Sequence, residues 1–390
     1  MTLMRRSVIG VAVVVALVLG GEQSRGEAQS APPIKVGFSS AMTGPSAITG
    51  EGVKWAAQML ADEYNAKGGI MGRKIEIYFG DNAGTPGEAV SAVRRLADVD
   101  RVDVIVGQTH SGACLGALPV IKELQVPMVI ESCSNPKIRE LIGKTVNEWA
   151  FRVNPDDVML ASQFAKYMSQ STKTMSIFAQ NDDFGRGAAA AYDVAFKKYG
   201  IKLVSTEFFD RGQADYRPVL TRVKRANPEA VLLVMLASEG SVFMRQFREI
   251  GLTQKLYARG SMATVEFLHQ VRDSPTIADG LVEATYWTPA LDPAWEKQWL
   301  ERWKVPVRVH GSLAAIAFRY ALVPAIEQAI KKTGRTDRKA IRDALADIDV
   351  PNTPVGRIRF DDTHQAFINM LLVEIRGGQL KLLETIAIQP

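Results

Sequence analysis

The stretch VIVGQTHSGACLG, residues 104–116, joins a short apolar run to a segment with helical periodicity. The run is rich in β-branched residues and ends at Gly107, which is typical of a buried strand. Small polar residues follow, and they put Ser111 at the start of the predicted helix. The stretch therefore predicts one strand-to-helix step of an α/β fold, with a polar junction between the two elements.

The same alternation continues in both directions along the chain. A first series has predicted strands at 34–40, 73–81, 102–107 and 126–132, with helices at 50–67, 86–99 and 112–124. A second series has strands at 174–180, 201–209, 229–236 and 255–258, with helices at 184–199, 216–226 and 239–250. Strands that alternate with helices predict parallel sheets covered on both faces. We therefore expect two Rossmann-like α/β lobes.

The remainder of the chain adds a strand at 281–287, a helix at 312–332 and strands at 356–360, 368–375 and 381–388. No flexible linker separates the two series, so we expect three short crossings near residues 153–156, 283 and 360, which together form a hinge. The predicted N-terminal lobe covers 31–153 plus 284–360. The C-terminal lobe covers 154–283 plus 361–390.

The N-terminus has the pattern of a secretory signal peptide. Arg5 and Arg6 precede an apolar run at 8–19, and small residues before Ala31 offer a cleavage site, so residues 1–30 are the expected signal. A buried strand is the alternative interpretation of the run, which is too short to span a bilayer. We find no later stretch that is long and apolar enough for a membrane anchor, and we expect a soluble protein outside the cytoplasm.

Composition excludes some function classes. The net charge is +5, and basic residues alternate with acidic ones instead of clustering, so we expect no nucleic-acid partner. Cys114 and Cys133 could form a disulfide in an oxidising compartment or remain buried thiols. The histidines lack metal-ligand spacing and G-x-S-x-G is absent, so we expect neither a metal nor catalytic residues.

Serines follow two neighbouring predicted strands. Ser111 follows the strand at 102–107, and ESCSNPKI (131–138) places Ser132 and Ser134 before Asn135, a predicted helix cap, and Pro136, a predicted first helical residue. Helix N-termini at the carboxyl edge of a parallel sheet attract anions. The two serine loops therefore predict a carboxylate site, with helix capping alone as the alternative.

A possible cofactor motif follows the strand at 174–180. Gly185, Gly187 and Ala190 match the dinucleotide fingerprint G-x-G-x-x-A, but NDDF separates them from the strand, whereas the fingerprint needs its first glycine in the turn that leaves the strand. We expect no cofactor. Phe184 is expected on a loop that faces the cleft.

Longer motifs resemble those of a known family. TGP (43–45), NAKGGIMGRKIE (65–76), DVIVGQTHSGACLGALPVIKELQVPMV (103–129) and NDDFGRG (181–187) are similar to the periplasmic branched-chain amino acid binding proteins, the type I solute receptors of ABC importers. The resemblance covers essentially the whole mature chain. It implies a periplasmic receptor whose two lobes close on one solute and then dock on a membrane permease with its ATPase. A monomer suits this hinge motion.

The resemblance also implies roles for individual residues. The ligand carboxylate would lie on Ser111 and on the amide of Ser134, and an α-ammonium on Ser132 and Ser134. The family's ammonium-binding glutamate falls at Gly260, beside Arg259. The predicted ligand-binding set is Ser111, Gly112, Ser132, Ser134, Thr49, Phe184, Leu236, Arg259, Gly260 and His110. Thr49 and Leu236 stand where the family has tyrosines, and the cysteines of the family's disulfide fall at Gly84 and His110.

The missing glutamate changes the expected ligand. A buried ammonium without a carboxylate partner costs several kcal/mol. We therefore expect a solute that keeps a carboxylate, lacks an α-ammonium and has a larger apolar body, such as an aromatic acid. In the alternative, Asp182, Glu131 or Glu239 supplies the charge and the ligand is an ordinary amino acid. A ligand sensor for a signalling partner and an exported hydrolase are the rival classes.

Overall fold

The computed structural model describes residues 31–389, so the predicted signal peptide lies outside the described residues. Within this range the chain forms a five-stranded sheet, a seven-stranded sheet and a two-stranded hairpin. The predicted α/β class, with parallel-dominated sheets in two lobes, is confirmed.

The first sheet and its helices occupy the N-terminal part of the chain. Its strands are β1 (Ile34–Ser40), β2 (Ile75–Asp81), β3 (Val104–Gly107), β4 (Met128–Ile130) and β5 (Ala150–Arg152). Its helices are α1 (Ala47–Ala66), α2 (Pro86–Arg94), α3 (Ser111–Leu124) and α4 (Lys137–Glu140). The strands are parallel in the order β2-β1-β3-β4-β5. Because β3 and β4 are completely buried between helices, they carry the near-continuous apolar runs from which they were predicted.

The second sheet is built from the middle and the end of the chain. Its parallel strands are β6 (Thr174–Gln180), β7 (Lys202–Phe209), β8 (Ala230–Met235), β9 (Lys255–Gly260) and β10 (Val282–Thr285). Its helices are α5 (Asp157–Met168), α6 (Asp183–Lys198), α7 (Arg217–Ala226), α8 (Ala237–Glu249) and α9 (Val265–Gln270). The sheet order is β14-β13-β10-β9-β8-β6-β7, where the hairpin of β13 (Met370–Arg376) and β14 (Gln379–Ile386) pairs antiparallel to β10.

Between β10 and β13 the chain adds further elements. They are α10 (Pro293–Trp303), α11 (Val309–Ala317), α12 (Val323–Thr333), α13 (Arg338–Asp347) and the hairpin of β11 (Asp349–Thr353) and β12 (Gly356–Arg359). Helix α11 packs along α1 of the first sheet. This contact brings the start of α11, far along the chain, to the edge of the first sheet.

One expectation about membrane anchoring is wrong. The continuous helix Val309–Thr333 is long and apolar enough to cross a membrane. Its most apolar stretch is mostly buried inside the protein, however, which is typical of a core helix. The sequence analysis missed the first turn of this helix, since it predicted the helix to begin at residue 312.

Two of the chain crossings are joined by a buried polar network. The fully buried Arg152 donates from Nε to Gln365 Oε1 (2.5 Å) and from a terminal nitrogen to Asp156 Oδ2 (3.2 Å). Gln365 Nε2 donates in turn to the carbonyl oxygen of Asn154 (2.9 Å). Residues 152–156 and Gln365 are therefore held side by side, at the position where the sequence predicts two of the three crossings.

Candidate ligand-binding site

A cavity lies between the two sheets, at the carboxyl ends of their strands. Its lining residues follow the carboxyl ends of β3 and β4 in the first sheet and of β8, β9 and β10 in the second, or lie at the starts of α6 and α11. They are Thr109, His110, Ser111, Ser132, Ser134, Phe184, Leu236, Arg259, Gly260, Thr285, Tyr286, Val309, His310 and Leu313. Strand ends and helix starts thus converge from both lobes.

Most of the predicted site residues line this cavity. They are His110, Ser111, Ser132, Ser134, Phe184, Leu236, Arg259 and Gly260. Thr49 does not, because it is buried within α1. Gly112 does not either, because it faces α6, where an added Cβ would lie 2.7 Å from a carboxylate oxygen of Asp183.

The sequence analysis missed six lining residues: Thr109, Thr285, Tyr286, Val309, His310 and Leu313. Thr285 and Tyr286 stand at the carboxyl end of a predicted strand, so the rule that located Ser111 could have found them. Val309 and His310 precede the predicted helix at 312–332, and nothing in their local pattern indicates a site.

Ser111 is the first residue of α3, a helix of 14 residues. The unpaired amides of the first turn carry a partial positive charge, which suits a carboxylate. The Ser111 hydroxyl accepts a bond from the Asn135 amide at 3.3 Å, so it also ties the two serine loops together. The first predicted helix start is therefore present and is directed at the cavity.

The second serine loop differs from the prediction. Helix α4 has only four residues, and Pro136 precedes it instead of being its first residue. Asn135 Oδ1 accepts from the Lys137 amide (2.9 Å), and the Ser134 hydroxyl donates to Asp157 Oδ2 (2.9 Å). The site therefore has one substantial helix N-terminus in the serine loops, and the Ser134 hydroxyl is already engaged.

Arg259, a predicted ligand-binding residue, is already paired with a carboxylate of the protein. Its Nε donates to Asp157 Oδ1 at 2.9 Å, and both side chains are buried. The guanidinium carbon lies 5.5 Å from the ring centre of Phe184 and 5.8 Å from that of Tyr286. Burial acts to lower the pKa of Arg259, but the Asp157 carboxylate outweighs it and raises that pKa. Arg259 is therefore protonated, and the Asp157 carboxylate balances its positive charge. Its guanidinium group lies close to the rings of Phe184 and Tyr286.

Both histidines of the cavity are neutral at neutral pH. Burial, with Arg211 nearby, lowers the pKa of His110 well below its ordinary value. Burial and the charge of Arg259 lower the pKa of His310 to about 4. The cavity wall therefore offers imidazole groups that donate and accept hydrogen bonds without carrying charge.

The alternative partners for an ammonium lie outside the lining of the cavity. Asp182 pairs with Arg211 (2.5 Å) and caps α6, and Glu239 accepts from the Ser238 hydroxyl (2.5 Å). Burial raises the pKa of Glu131 to about 8, so this carboxyl group is protonated at neutral pH. A further carboxylate near Gly260, that of Glu283, is buried and accepts from the Ala263 amide.

The structure also shows the surroundings of the G-x-G-x-x-A motif and of the two cysteines. Phe184 lies in the first turn of α6 and not on a loop, and Gly185 packs so closely that an added Cβ would lie 2.0 Å from the Gln180 carbonyl oxygen. Helix packing therefore accounts for this glycine. Cys114 and Cys133 are buried free thiols. Among residues 31–389 no three His, Cys, Asp or Glu side chains form a metal-binding group.

Comparisons with known proteins agree with this architecture. A family model described as "Periplasmic binding protein" matches residues 33–379. The Leu/Ile/Val-binding protein homolog 3 of Brucella melitensis is 27% identical over 335 residues, which cover 85% of this chain and 88% of that protein.

Two solved structures share the fold. The branched-chain amino acid transporter substrate-binding protein LivJ from Streptococcus pneumoniae, in complex with isoleucine, aligns with a TM-score of 0.78 and 22% identity over 92% of this chain and all of that one. An ABC-transporter solute-binding protein from Rhodopseudomonas palustris BisB5, in complex with 3,4-dihydroxybenzoic acid, aligns with a TM-score of 0.80 and 22% identity, over 92% and 98% of the two chains.

Proposed function

Because the chain belongs to the periplasmic binding protein family, in the branch of the Leu/Ile/Val-binding proteins, we propose that it is the solute receptor of an ABC importer for a small aromatic carboxylic acid. One observation carries the choice of ligand: in the part of the chain that the structure describes, none of the residues that line the cavity is acidic. An α-ammonium enclosed there would lack a carboxylate partner, at a cost of several kcal/mol.

The binding mode follows from the walls of the cavity. The ligand carboxylate lies at the N-terminus of α3, with the charged Arg259 in the opposite wall. The ring packs on Phe184 and Tyr286 and against the apolar side chains of Leu236 and Leu313. The bound 3,4-dihydroxybenzoic acid of the Rhodopseudomonas palustris neighbour supports an aromatic acid in a site of this fold.

The wider role follows from the family. We propose that residues 1–30 are removed on export to the periplasm and that the lobes 31–153 plus 284–360 and 154–283 plus 361–390 close on the solute. The closed monomer then docks on a permease, which an ATPase drives. The protein performs no catalysis itself. A sensor role with the same ligand would differ only in the partner of the closed form, and adjacent genes for a permease and an ATPase would favour transport.

An amino acid ligand is the second candidate function. Its support is the sequence relation to the Leu/Ile/Val-binding proteins and the isoleucine in the Streptococcus pneumoniae neighbour. In this alternative, main-chain carbonyl and hydroxyl oxygens of the serine loops hold the ammonium without a carboxylate.

A thermal-shift panel separates the two candidates. Benzoate and cinnamate should raise the melting temperature, and leucine, isoleucine and valine should not. Benzamide, which has the same ring without the charge, is the control and should have no effect. Stabilisation by the amino acids alone would contradict the proposal. Turnover of a bound acid would contradict the statement that the protein is not an enzyme.

A further inference from the structure

His110 has a ring nitrogen that receives no hydrogen bond from residues 31–389. Its Nδ1 lies 3.1 Å from the hydroxyl of Thr109, which lies 3.0 Å from the hydroxyl of Ser40. Its Nε2 is buried and has no partner among the described residues. Since His110 lines the cavity and is only 6% exposed, a ligand is the available partner for this atom. An unmade hydrogen bond in a buried site is unfavourable, so a ligand that completes it gains affinity.

The chemistry of the imidazole selects the kind of partner. In a neutral ring one nitrogen donates and the other accepts, and the Thr109 hydroxyl can satisfy Nδ1 in either form. Nε2 can therefore donate or accept. A hydroxyl group also does both, whereas a carboxylate only accepts and a methyl group does neither.

The surroundings of His110 favour a neutral group over a second acid. Arg259 is the one lining residue that carries a charge at neutral pH, and Asp157 already pairs with it. His310 adds a second neutral imidazole, beside the apolar side chains of Val309 and Leu313. This part of the wall is apolar with uncharged hydrogen-bonding groups, which matches a ring with a hydroxyl substituent.

We propose that His110, with His310 beside it, forms a subsite for a hydroxyl group on the ring of the ligand, so that the solute class is the hydroxy-substituted aromatic acids. This inference rests on the proposed function, because it takes the carboxylate site at α3 as given. It gives a specificity-determining role to His110, which the sequence analysis included in the predicted ligand-binding set without assigning it a partner group on the ligand.

Matched ligand pairs test the subsite. Isothermal titration calorimetry would compare 4-hydroxybenzoate with 4-methylbenzoate, the 3-substituted pair, and 4-hydroxycinnamate with 4-methylcinnamate. In each pair the two ligands have similar size and the same carboxylate. The wild-type protein should bind the hydroxyl member of at least one pair about tenfold or more tightly. The His110→Phe variant should lose this preference while it still binds the methyl acids.

The outcomes separate the two proposals. His269→Phe, at a histidine outside the cavity lining, is the control and should keep the wild-type preference. Equal wild-type affinity within every pair would overturn the hydroxyl subsite and leave the aromatic-acid function standing. A preference that survives in His110→Phe would also overturn it. If no aromatic acid binds at all, the proposed function fails, and the subsite fails with it. The wild-type comparison decides even if the variant does not fold.

Discussion

At the scale of single residues, the Arg259–Asp157 pair determines the charge of the cavity. Asp157 is completely buried, and its carboxylate receives bonds from Arg259 and from the Ser134 hydroxyl. The Asp157 carboxylate is therefore engaged by the protein's own arginine, and Asp157 is not among the residues that line the cavity.

Substitution of Arg259 should destabilise the folded protein. We expect Arg259→Met to lower the free energy of unfolding by about 3–5 kcal/mol, because Asp157 remains as a buried uncompensated charge. The double variant Arg259→Met with Asp157→Asn should lose less than the sum of the two single variants. Urea unfolding measures both effects. Arg245→Met is the control, since it breaks the solvent-exposed pair with Asp273 and should have a much smaller effect on stability. Additive losses in the double variant would show that the two charges are not coupled.

Glu131 should make stability depend on pH. Both of its carboxyl oxygens are buried without a hydrogen-bond partner in residues 31–389, and burial raises its pKa from an ordinary 4.5 to about 8. The folded state therefore binds more protons than the unfolded state between these values, so this group's contribution to stability falls as the pH rises through that window. Glu131→Gln removes the contribution.

The melting temperature of Glu131→Gln relative to wild type should increase with pH. We expect the difference to be at least about 3 °C larger at pH 8 than at pH 5, measured by differential scanning fluorimetry. The exposed Glu140→Gln should give a difference that does not change with pH. A constant difference for Glu131→Gln would show that this carboxyl group is ionised in the folded protein.

At the scale of elements, the N-terminus of α3 is the main feature of the proposed carboxylate site. The neighbouring helix α4 is too short to add a comparable dipole. In the proposed binding mode, recognition of an acid group in the first lobe therefore depends on one helix start and on Ser111. The anion site is more localised than two serine-bearing helices would make it.

A negative charge at the N-terminus of α3 should weaken the binding of carboxylate ligands without unfolding the protein. We expect Ser111→Asp to weaken every carboxylate ligand by more than about tenfold, because a second negative charge would lie beside the ligand. An acidic residue at a helix N-terminus is favourable for the helix itself. Ser111→Asn, of similar size and without charge, should bind more tightly than Ser111→Asp. Equal affinities of the two variants in calorimetry would place the carboxylate elsewhere in the cavity.

At the scale of the whole molecule, hydrogen bonds join elements of the two sheets across the cavity. Asn135 Nδ2 donates to the Asp183 carbonyl oxygen (2.5 Å), and the amide of Val309 at the start of α11 donates to Glu266 Oε2 (3.3 Å). Glu266 belongs to α9 beside the second sheet, whereas α11 packs on α1 of the first. Separation of the lobes would break these bonds and return Glu266 to water.

Closure should therefore be coupled to a proton. Burial raises the pKa of Glu266 from an ordinary 4.5 to about 7, although the charge of Arg308 and the bond from the Val309 amide oppose this. The closed state binds more protons than the open one between these values, so closure is favoured at low pH and weakens as the pH rises to 7. We expect ligand affinity to fall by about tenfold between pH 5.5 and pH 8.

The Glu266→Gln variant checks this coupling. It keeps an oxygen that can accept from the Val309 amide and cannot ionise, so its ligand affinity should change little over the same pH range. Calorimetric titrations at several pH values measure both proteins. If Glu266→Gln keeps the wild-type pH dependence, another group controls closure.

The amino-acid sequence was sufficient for much of this architecture. The predicted strands 34–40 and 174–180 coincide with β1 and β6 at both ends. Period and composition identify such elements because each strand buries apolar residues along its own length. Strands β5 and β11 and helices α5, α9, α10 and α13 were missed. The sequence analysis placed a crossing near residues 153–156, immediately before α5, although Asp156 caps that helix.

The same distinction applies to the features of the candidate site: some depend on a single sequence position, and others depend on contacts between distant residues. Ser111 and the absence of an acidic residue at Gly260 could be read from the sequence, because each depends on one position after one strand. The pairing of Arg259 with Asp157, the free Nε2 of His110 and the arrival of Val309 and His310 could not. These features join residues that are far apart in the chain, and only the packing of α11 on α1 and of the two sheets around one cavity brings them within reach.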